Sequence, residues 1–543
     1  MEMAANWLKL LSIGVFYAII LCTGIWAARR TKREERRSPG SRSEVEIVGG
    51  RNLNIWVSIL TITATWVGGG YILGVAEAIY NPTLGLVWTT APIAYVLTFI
   101  LGGLFFVKPI RAKNYVTLMD PFQEKYGNTI AAILFIPAIL GDILWIACSL
   151  GGLGGTVSAV IEISSTLSIG ISASVAILYT SMGGLFSVAY TDVIQLGFMF
   201  VGLGICVPFV LTTPQAANLT VAAVTKLYQE PWIGKITTED TARWIDGSLL
   251  LILGGLCYPA FYQRVLSTAT DKQAQLTCYA GAALCPILAI PSIIIGAVAA
   301  STNWNQTSFG SPSPYEQGKS GLILPIALQH LCPVYVSVIS TGALAAAVMS
   351  SADSALLSAA SMLGRNIFKN IIYKKASEKM ILVVIKVSVI VCGLIGAALA
   401  LSTNSIYLLW IYGADVLYSM MTAQVICTFF LSQWINRYGV VSGFLLAMVL
   451  RTLVGEPGLG LPDLLPLPWD KIQDDGHKFR LFPFRTAIML VTIITVLLTS
   501  KIAEWMLKRG LQKSVDKMNT NMDYIAPVQR DEEEEEKLNQ TQT

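Results

Sequence analysis

Long apolar runs alternate with short polar segments along almost the whole chain. Most runs reach about 20 residues, the length that a helix needs to cross a bilayer core of about 30 Å. The pattern predicts an all-α polytopic membrane protein with about thirteen transmembrane helices. The predicted spans are 7–28, 52–79, 84–107, 128–158, 165–184, 191–211, 246–266, 275–300, 336–362, 380–402, 405–431, 437–455 and 484–507.

Basic residues between the spans predict the orientation of the chain. Six arginine and lysine residues between Arg29 and Arg37 directly follow the first apolar run. Basic residues return on the same side in later loops, for example at Lys108 and Arg365. Because cytoplasmic loops carry an excess of basic residues, the N-terminus is predicted to be extracellular. An odd number of spans then places the C-terminus in the cytoplasm.

Two predicted spans are interrupted by glycine and proline. Three consecutive glycines, 68–70, stand in the second span, and Gly254, Gly255 and Pro259 stand in the seventh. A glycine inside a helix costs about 0.5–1 kcal/mol relative to alanine, so these runs predict helix breaks. Freed backbone groups are tolerated within a membrane where they line a cavity or bind something. Close packing of helices through small residues is the alternative explanation.

The matching positions of the two interruptions predict how the chain is divided. Interrupted helices at corresponding positions of two halves are typical of inverted-repeat transporters. We therefore expect two five-helix repeats, at 52–211 and 246–431, joined by an extracellular loop at 212–245. The remaining predicted segments are a first transmembrane helix with a basic cytoplasmic loop (1–51), two additional transmembrane helices (432–509) and a disordered cytoplasmic tail with an acidic run (510–543).

Composition supports a membrane protein and indicates no enzyme. The chain is 54% hydrophobic and 13% charged, whereas soluble domains are about 25% charged. Its expected partner is therefore membrane lipid, and the net charge of +4 gives no indication of nucleic acid binding. Two histidines, and nine cysteines without a CxxC pair, indicate neither a zinc site nor a disulfide framework. GxSxG, Walker and HExxH motifs are absent from the sequence.

Polar residues within the ninth span predict a cation site. Ser350 and Ser351 are adjacent in the segment AAVMSSADS, and hard cations prefer oxygen ligands. Carbonyl groups freed at the break of the second span would complete the ligand shell. Asp353, in the same segment, and Asp192, near the inner end of the sixth span, are second-rank candidates for cation passage. Asp192 has the alternative role of a helix cap, and the serines, Ser354 and Ser358 above all, have that of helix–helix hydrogen bonding.

Four aromatic residues belong to the interrupted spans or to spans beside them, namely Trp66, Tyr95, Trp145 and Tyr258. Aromatic faces bind organic cations, and each contact contributes about 0.5–2 kcal/mol when it is desolvated. A single membrane aromatic more often serves packing or anchors the helix at the interface. Their convergence at the helix breaks favours a cage for an organic cation.

Several of these segments carry a resemblance to a known family. TATWVGGGYILGVAEA, GGLFSVAYTDVIQL and AAVMSSADS are the most specific, and the matching region extends from about 45 to 455. The chain resembles the sodium/solute symporter family, and within it the members that take up choline. The resemblance implies a leucine-transporter-type fold with a 5+5 inverted repeat. It also implies import of choline, for acetylcholine synthesis, together with sodium and in a chloride-dependent way.

The resemblance also assigns site residues. It implies a sodium site formed by three carbonyls and two hydroxyls, those of Ala64, Val67, Ala347, Ser350 and Ser351. It implies a choline cage that includes Trp66, Tyr95 and Trp145. The fourth wall departs from the pattern GG-x-PW-QAYFQR, because this chain has Tyr258 in place of the tryptophan and Pro259 after it. The alternatives are a sodium symporter for another small solute or quaternary amine, and a non-transporting sensor with the same fold.

Further predictions concern modification and location. Asn218 and Asn305 begin sequons in the longer predicted outside loops, so both are expected to be glycosylated. A third sequon, at Asn539, lies in the predicted cytoplasmic tail and should remain unmodified. The tail itself is expected to bind cytoplasmic trafficking partners or simply to stay solvated. The resemblance implies a location in the plasma membrane and in synaptic and vesicular membranes.

Overall fold

The structure, a computed structural model, describes residues 2–35, 40–161, 163–402, 405–456, 460–472 and 478–508. The predicted acidic tail run and Asn539 lie outside these residues. Within them the chain is helical except for loops and one short antiparallel pair, β1 (Lys471–Ile472) and β2 (Lys478–Phe479). The first ten α-helices are α1 (Glu2–Glu35), α2 (Arg42–Val48), α3 (Ile55–Trp66), α4 (Gly69–Tyr80), α5 (Ala91–Leu101), α6 (Val107–Ala112), α7 (Asp120–Tyr126), α8 (Asn128–Ile161), α9 (Ser165–Leu211) and α10 (Leu219–Val224).

The second half of the chain is also built from helices. They are α11 (Thr241–Gly255), α12 (Pro259–Leu266), α13 (Asp271–Ala300), α14 (Ile323–Leu331), α15 (Val334–Met362), α16 (Glu378–Ala400), α17 (Ile406–Val416), α18 (Thr422–Phe430), α19 (Arg437–Val454) and α20 (Phe484–Lys508). Three stretches are π-helical, at Gly102–Phe106, Leu363–Ile372 and Leu417–Met421. Short 3₁₀ turns occupy Gly49–Arg51, Leu86–Trp88, Trp304–Gln306 and Ser320–Leu322.

The predicted number of thirteen spans is not confirmed. In the described part of the chain, nine helical segments are long and apolar enough to cross a membrane, or eleven if each of two bent helix pairs counts as one span. Segments of this length and composition are those of a multi-pass membrane protein.

The predicted spans 165–184 and 191–211 lie on either side of a kink in one long helical segment. Both fall within α9, which has 47 residues; at 1.5 Å per residue a straight helix of that size would extend about 70 Å, well over the bilayer core. Gly184 interrupts it with φ 56° and ψ −164°. A Cβ at this position would lie 2.5 Å from the carboxyl carbon of Glu46, so only glycine fits this kink.

The two predicted helix breaks are confirmed. α3 and α4 meet at an angle of 45°, and α11 and α12 meet at 40°. At the first break, Val67 (φ −86°, ψ 62°) and Gly68 (φ −114°, ψ −155°) leave the helical conformation. At the second, Tyr258 is extended and Pro259 begins α12, a position where its missing N–H costs no helical hydrogen bond.

α15 forms the centre of the bundle. Every residue from Ser340 to Met362 is buried, and the helix packs along α8 and α9 and also contacts α3, α4 and α12. Small side chains, such as those of Ala345, Ala346 and Ala347, allow these close approaches. The breaks of both interrupted spans therefore lie beside one buried helix.

A buried ion cluster joins the last two helices to the bundle. Asp415 of α17 accepts from Arg451 of α19 at 2.8 Å and lies 3.0 Å from Nε of Arg485 of α20. Nη1 of Arg485 also lies 3.4 Å from Oδ2 of Asp246 of α11, and Nη2 of Arg451 lies 2.9 Å from Oε2 of Glu456. α19 and α20 are thus held to the bundle by charge pairs as well as by apolar packing.

Candidate functional site

The break between α3 and α4 packs directly against α15. A Cβ built on Gly68 would lie 1.2 Å from Oγ of Ser351 and 3.4 Å from the carbonyl oxygen of Ala347. The non-helical backbone of Val67 and Gly68 therefore lies beside two of the oxygen atoms that the resemblance assigns to sodium. Ala64, whose carbonyl completes the predicted backbone ligands, is buried one turn earlier in α3.

Ser351 and Ser350 are placed differently. Oγ of Ser351 is buried and has no hydrogen-bond partner within the described structure, which leaves its oxygen available to a cation at the break. Oγ of Ser350 donates to Oδ1 of Asp192 at 2.5 Å. Because its proton is directed at the carboxylate, the lone pairs of Ser350 remain for a second partner. The five predicted sodium ligands remain a prediction, and the donor set of hydroxyls and carbonyls fits a hard cation.

Asp192 is the centre of a buried polar cluster. Its side chain is 0% exposed, and its second oxygen, Oδ2, accepts from Thr61 Oγ1 of α3 and lies 3.4 Å from Nη2 of Arg264 of α12. The residue lies inside α9, eight positions after the kink at Gly184. The alternative that Asp192 caps a helix is therefore wrong, and its place beside Ser350 favours a role in cation passage.

Asp353 lies apart from the Asp192 cluster. Its Oδ1 accepts from Thr180 of α9 at 3.1 Å, and its Oδ2 is buried without a hydrogen-bond partner. The structure therefore does not join the two second-rank carboxylates by a hydrogen bond.

Two serines of α15 make the expected helix–helix hydrogen bonds. Ser358 donates to Asp142 of α8 at 2.6 Å, and Ser354 pairs with Thr65 of α3 at 3.0 Å. The structural role that the sequence favours for both serines is confirmed.

The four predicted cage residues lie together. The ring centroid of Trp66 lies 6.4 Å from that of Tyr95, 5.7 Å from that of Trp145 and 6.5 Å from that of Tyr258. The ring centroids of Trp145 and Tyr258 are 4.4 Å apart. All four are buried, and the rings meet Trp66 edge to face. Trp66 ends α3 and Tyr258 immediately precedes α12, so both broken spans contribute a wall.

Further aromatic residues surround this cluster. The ring centroids of Phe99 and Phe261 lie 5.2 and 5.9 Å from that of Trp66. Tyr71 stacks on Tyr95 with centroids 5.3 Å apart and planes inclined by 13°. Nε1 of Trp410, in α17, donates to the Tyr95 hydroxyl at 3.0 Å. These four residues add a second layer of rings around the predicted cage.

Trp410 is a residue that the sequence analysis missed. It packs on α4, where a Cβ on Gly70 or Gly74 would approach its ring to 2.9 or 3.0 Å. The Gly-x-x-x-Gly spacing signals that a bulky neighbour lies against this face of α4. It does not say which residue of the chain supplies that neighbour.

Tyr258 stands where the resemblance expects tryptophan. Its hydroxyl is buried and has no hydrogen-bond partner among the described residues. A Cβ on Gly413 of α17 would come to 3.0 Å from this oxygen. Tyr258 therefore gives the predicted cage a polar atom with unused hydrogen-bonding capacity.

Both predicted glycosylation residues are exposed. Asn218 caps α10, where its Oδ1 accepts from the N–H groups of Thr220 and Val221 at 2.9 and 3.3 Å. Asn305 is exposed and lies in the 3₁₀ turn Trp304–Gln306. Their side chains are accessible, and their modification remains a prediction.

Comparison with known proteins agrees with this geometry. The chain is 46% identical over 501 residues to human "High affinity choline transporter 1", a match that covers 92% of this chain and 86% of the relative. It is 41% identical to "High-affinity choline transporter 1" of Drosophila melanogaster, covering 96% and 82%. A solved structure of a Na+-coupled sialic acid symporter, in a substrate-bound outward-open state, matches with a TM-score of 0.70 at 17% identity and covers 91% of this chain and 98% of its own.

The structural match shows the fold, which is of the leucine-transporter type as the resemblance implies. The Sodium:solute symporter family model matches residues 47–447, which include both helix breaks and all four cage residues. That region also includes α15 with the two adjacent serines. The chain belongs to the sodium:solute symporter family.

Proposed function

We propose that the protein is a sodium-coupled symporter that imports choline by alternating access. The proposal rests on the arrangement of Tyr95, Trp145 and Tyr258 around Trp66. The ring centroid of each lies within 6.5 Å of that of Trp66. A quaternary ammonium group has no N–H to donate, so stacked ring faces recognise it better than hydrogen-bond acceptors do. The relatives named as high-affinity choline transporters support the same substrate.

The sodium part of the proposal rests on the break at Val67 and Gly68. The unpartnered hydroxyl of Ser351 lies against it, and Ser350 links the same place to Asp192. Sodium bound here would hold α3, α4 and α15 together. Since Trp66 is the last residue of α3, sodium binding would also fix the position of the main cage wall.

Coupling to sodium suits the energetics of choline import. Choline is a cation, so a membrane potential of roughly 60 mV favours its entry by about 1.4 kcal/mol, or about tenfold accumulation. Each sodium ion that enters with it adds the same electrical free energy and its own concentration gradient. Steeper accumulation than the potential supplies therefore requires the coupled ion.

The test is uptake of labelled choline into proteoliposomes that contain the purified protein. We expect uptake driven by an inward sodium gradient and a steep loss of rate when a large inert cation replaces sodium. An unchanged initial rate after that replacement would indicate a facilitator. Choline binding without accumulation would indicate a non-transporting sensor, and competition by other quaternary amines or small solutes at lower concentration than choline would indicate a different substrate.

Finer features belong to the same proposal and follow from the resemblance. They are chloride dependence, supply of choline for acetylcholine synthesis, location in plasma, synaptic and vesicular membranes, an extracellular N-terminus and a cytoplasmic tail that binds trafficking partners. Replacing chloride by gluconate in the proteoliposome assay tests the first. We expect the initial rate to fall, and an equal rate in both salts would remove chloride from the mechanism.

A further inference from the structure

Arg264 of α12 is a fully buried guanidinium, and its partners among the described residues are two neutral polar side chains and one carboxylate. Its side chain and that of Asp192 are both 0% exposed. Nη2 of Arg264 donates to Oγ of Ser354 at 2.6 Å, and Nη1 lies 3.4 Å from Oε1 of the neighbouring Gln263. A buried guanidinium needs a compensating anion, and Asp192 is the carboxylate that Arg264 contacts.

The contact between the two charges is long. Nη2 of Arg264 lies 3.4 Å from Oδ2 of Asp192, and Nε has no hydrogen-bond partner in the described structure. Charge-assisted N–H···O bonds are usually about 2.7–2.9 Å. Arg451 meets that standard with Asp415, at 2.8 Å. Arg264 is therefore anchored mainly by Ser354 and is held only loosely by Asp192.

Asp192 faces the proposed sodium site with its other oxygen. Oδ1 accepts the proton of Ser350 at 2.5 Å, whereas Oδ2 faces Arg264 and also accepts from Thr61. One buried carboxylate thus has a guanidinium on one side and a proposed sodium ligand on the other. In a buried environment both cations act on the same negative charge, because little water is present to screen them.

We propose that Arg264 is a resident cation that competes with sodium for the charge of Asp192 and thereby limits how tightly sodium is held. Arg264 acts as a positioning residue, since it touches Asp192 and Ser354 rather than the proposed ligands. The inference rests on the proposed sodium site at Ser350 and Ser351. It adds a residue that sets sodium affinity and the ease of sodium release.

The arrangement also joins both broken spans to α9 and α15. Arg264 lies on α12, Asp192 on α9, Ser354 on α15, and Thr61 and Thr65, which bond to Asp192 and Ser354, lie on α3. α3 and α12 are halves of the two broken spans. When sodium leaves, Arg264 is left as the cation beside Asp192, so the cluster keeps its charge balance.

Opposite effects on sodium affinity test this competition. Arg264→Gln removes the competing charge, so sodium should bind about tenfold more tightly while maximal choline uptake falls because release slows. Ser354→Ala removes the stronger anchor and lets the guanidinium approach Asp192, so sodium should bind more weakly. Both are measured by equilibrium binding of radiolabelled sodium to the purified protein and by the sodium dependence of choline uptake.

Two controls separate competition from a structural role. Arg264→Lys keeps the charge and should keep sodium affinity near that of the wild type. Arg451→Gln removes a buried arginine elsewhere and should leave sodium affinity unchanged per correctly folded molecule. Unchanged or weaker sodium binding in Arg264→Gln would overturn the inference. If that variant does not fold, unchanged or tighter binding in Ser354→Ala overturns it.

The experiment also distinguishes this inference from the proposed sodium site. If Ser351→Ala loses sodium binding while Arg264→Gln and Ser354→Ala behave as the wild type, the site stands and the competition fails. If neither Ser350→Ala nor Ser351→Ala changes sodium binding, the proposed site is wrong and the inference falls with it.

Discussion

Gly68 and Ser351 approach each other so closely that a methyl group on Gly68 would overlap the serine hydroxyl, at 1.2 Å from its oxygen. The contact joins the break of one span to the central helix of the bundle. It also explains why this position is glycine although its backbone is extended rather than left-handed. The hydroxyl of Ser351 occupies the space that a side chain at position 68 would need.

Gly68→Ala should abolish sodium-coupled uptake. The added methyl group must displace Ser351 or the break itself, and overpacking of this kind usually costs about 1–3 kcal/mol. The control is Gly204→Ala, since a Cβ on Gly204 has no atom within 4 Å. Uptake and sodium half-saturation are measured together with cell-surface labelling. Wild-type sodium dependence in Gly68→Ala would contradict this account of the break.

Ser351→Ala should weaken sodium binding without lowering the stability of the sodium-free protein. Its hydroxyl is buried without a partner, and an unsatisfied buried polar group costs about 1–3 kcal/mol, so its removal is not harmful by itself. Bound sodium stabilises the folded state by an amount that grows with the logarithm of the sodium concentration over Kd, about 2.7 kcal/mol at a hundred times Kd. Thermal unfolding with and without sodium measures both effects.

Ser350→Ala is the matched variant for the previous prediction. It also removes a donor to Asp192, 2.5 Å away, so it should lower stability even without sodium. Equal sodium-dependent stabilisation in the wild type and in both variants would argue against the site.

Trp66→Ala should lose nearly all choline uptake, whereas Trp66→Phe should retain part of it. Trp66 contacts the three other cage rings, and indole offers the strongest face to a cation. Choline half-saturation and maximal rate, corrected for surface expression, check the prediction. Trp26→Phe is a control, because Trp26 is exposed and pairs with Tyr190 outside the cluster. Full activity of Trp66→Ala would remove Trp66 from the site.

Variants of Tyr258 distinguish the contribution of its ring to choline binding from that of its hydroxyl. Tyr258→Phe removes a buried oxygen that has no protein partner, so weaker choline binding with unchanged stability would show that the substrate uses that oxygen. Tyr258→Trp should keep transport and strengthen choline binding. The gain should be a fraction of the free energy of one cation–π contact, which is about 0.5–2 kcal/mol. Competition by choline, betaine and carnitine provides the measurement. If neither variant changes any of the three affinities, Tyr258 is packing.

Asn218→Gln and Asn305→Gln should each remove one glycan and shift the electrophoretic mobility of the protein. Both side chains are exposed, and both sequons lie in predicted extracellular loops. Asn539→Gln is the control, since its sequon lies in the predicted cytoplasmic tail. A mobility shift from the control alone would reverse the predicted orientation.

Both helix breaks are predictable because glycine and proline act on the backbone where they stand. The runs around Gly68 and Pro259 identify them, and the structure bends there by 45° and 40°. The aromatic cluster is predictable in part for the same reason, since Trp66 and Tyr258 adjoin those breaks. The kink at Gly184, the second of two adjacent glycines, likewise stands where the predicted span 165–184 ends.

Long-range partners account for what the sequence analysis missed. Trp410 reaches Tyr95 across 315 residues of chain, and Arg264 reaches Asp192 across 72. No local pattern connects such residues, because only the packing of helices that are far apart in the chain brings them together. The sequence therefore indicates which polar and aromatic residues need partners but not which residues provide them.

The charge of Asp415 has a consequence for how this family diversifies. Asp415 belongs to α17, yet both arginines that neutralise it, Arg451 and Arg485, come from the two helices that follow the repeats. Losing one partner of a buried ion pair costs about 3–5 kcal/mol. A homologue that loses the last two helices would first have to replace this aspartate with a neutral residue. The number of helices and the residue at this position should therefore covary among homologues.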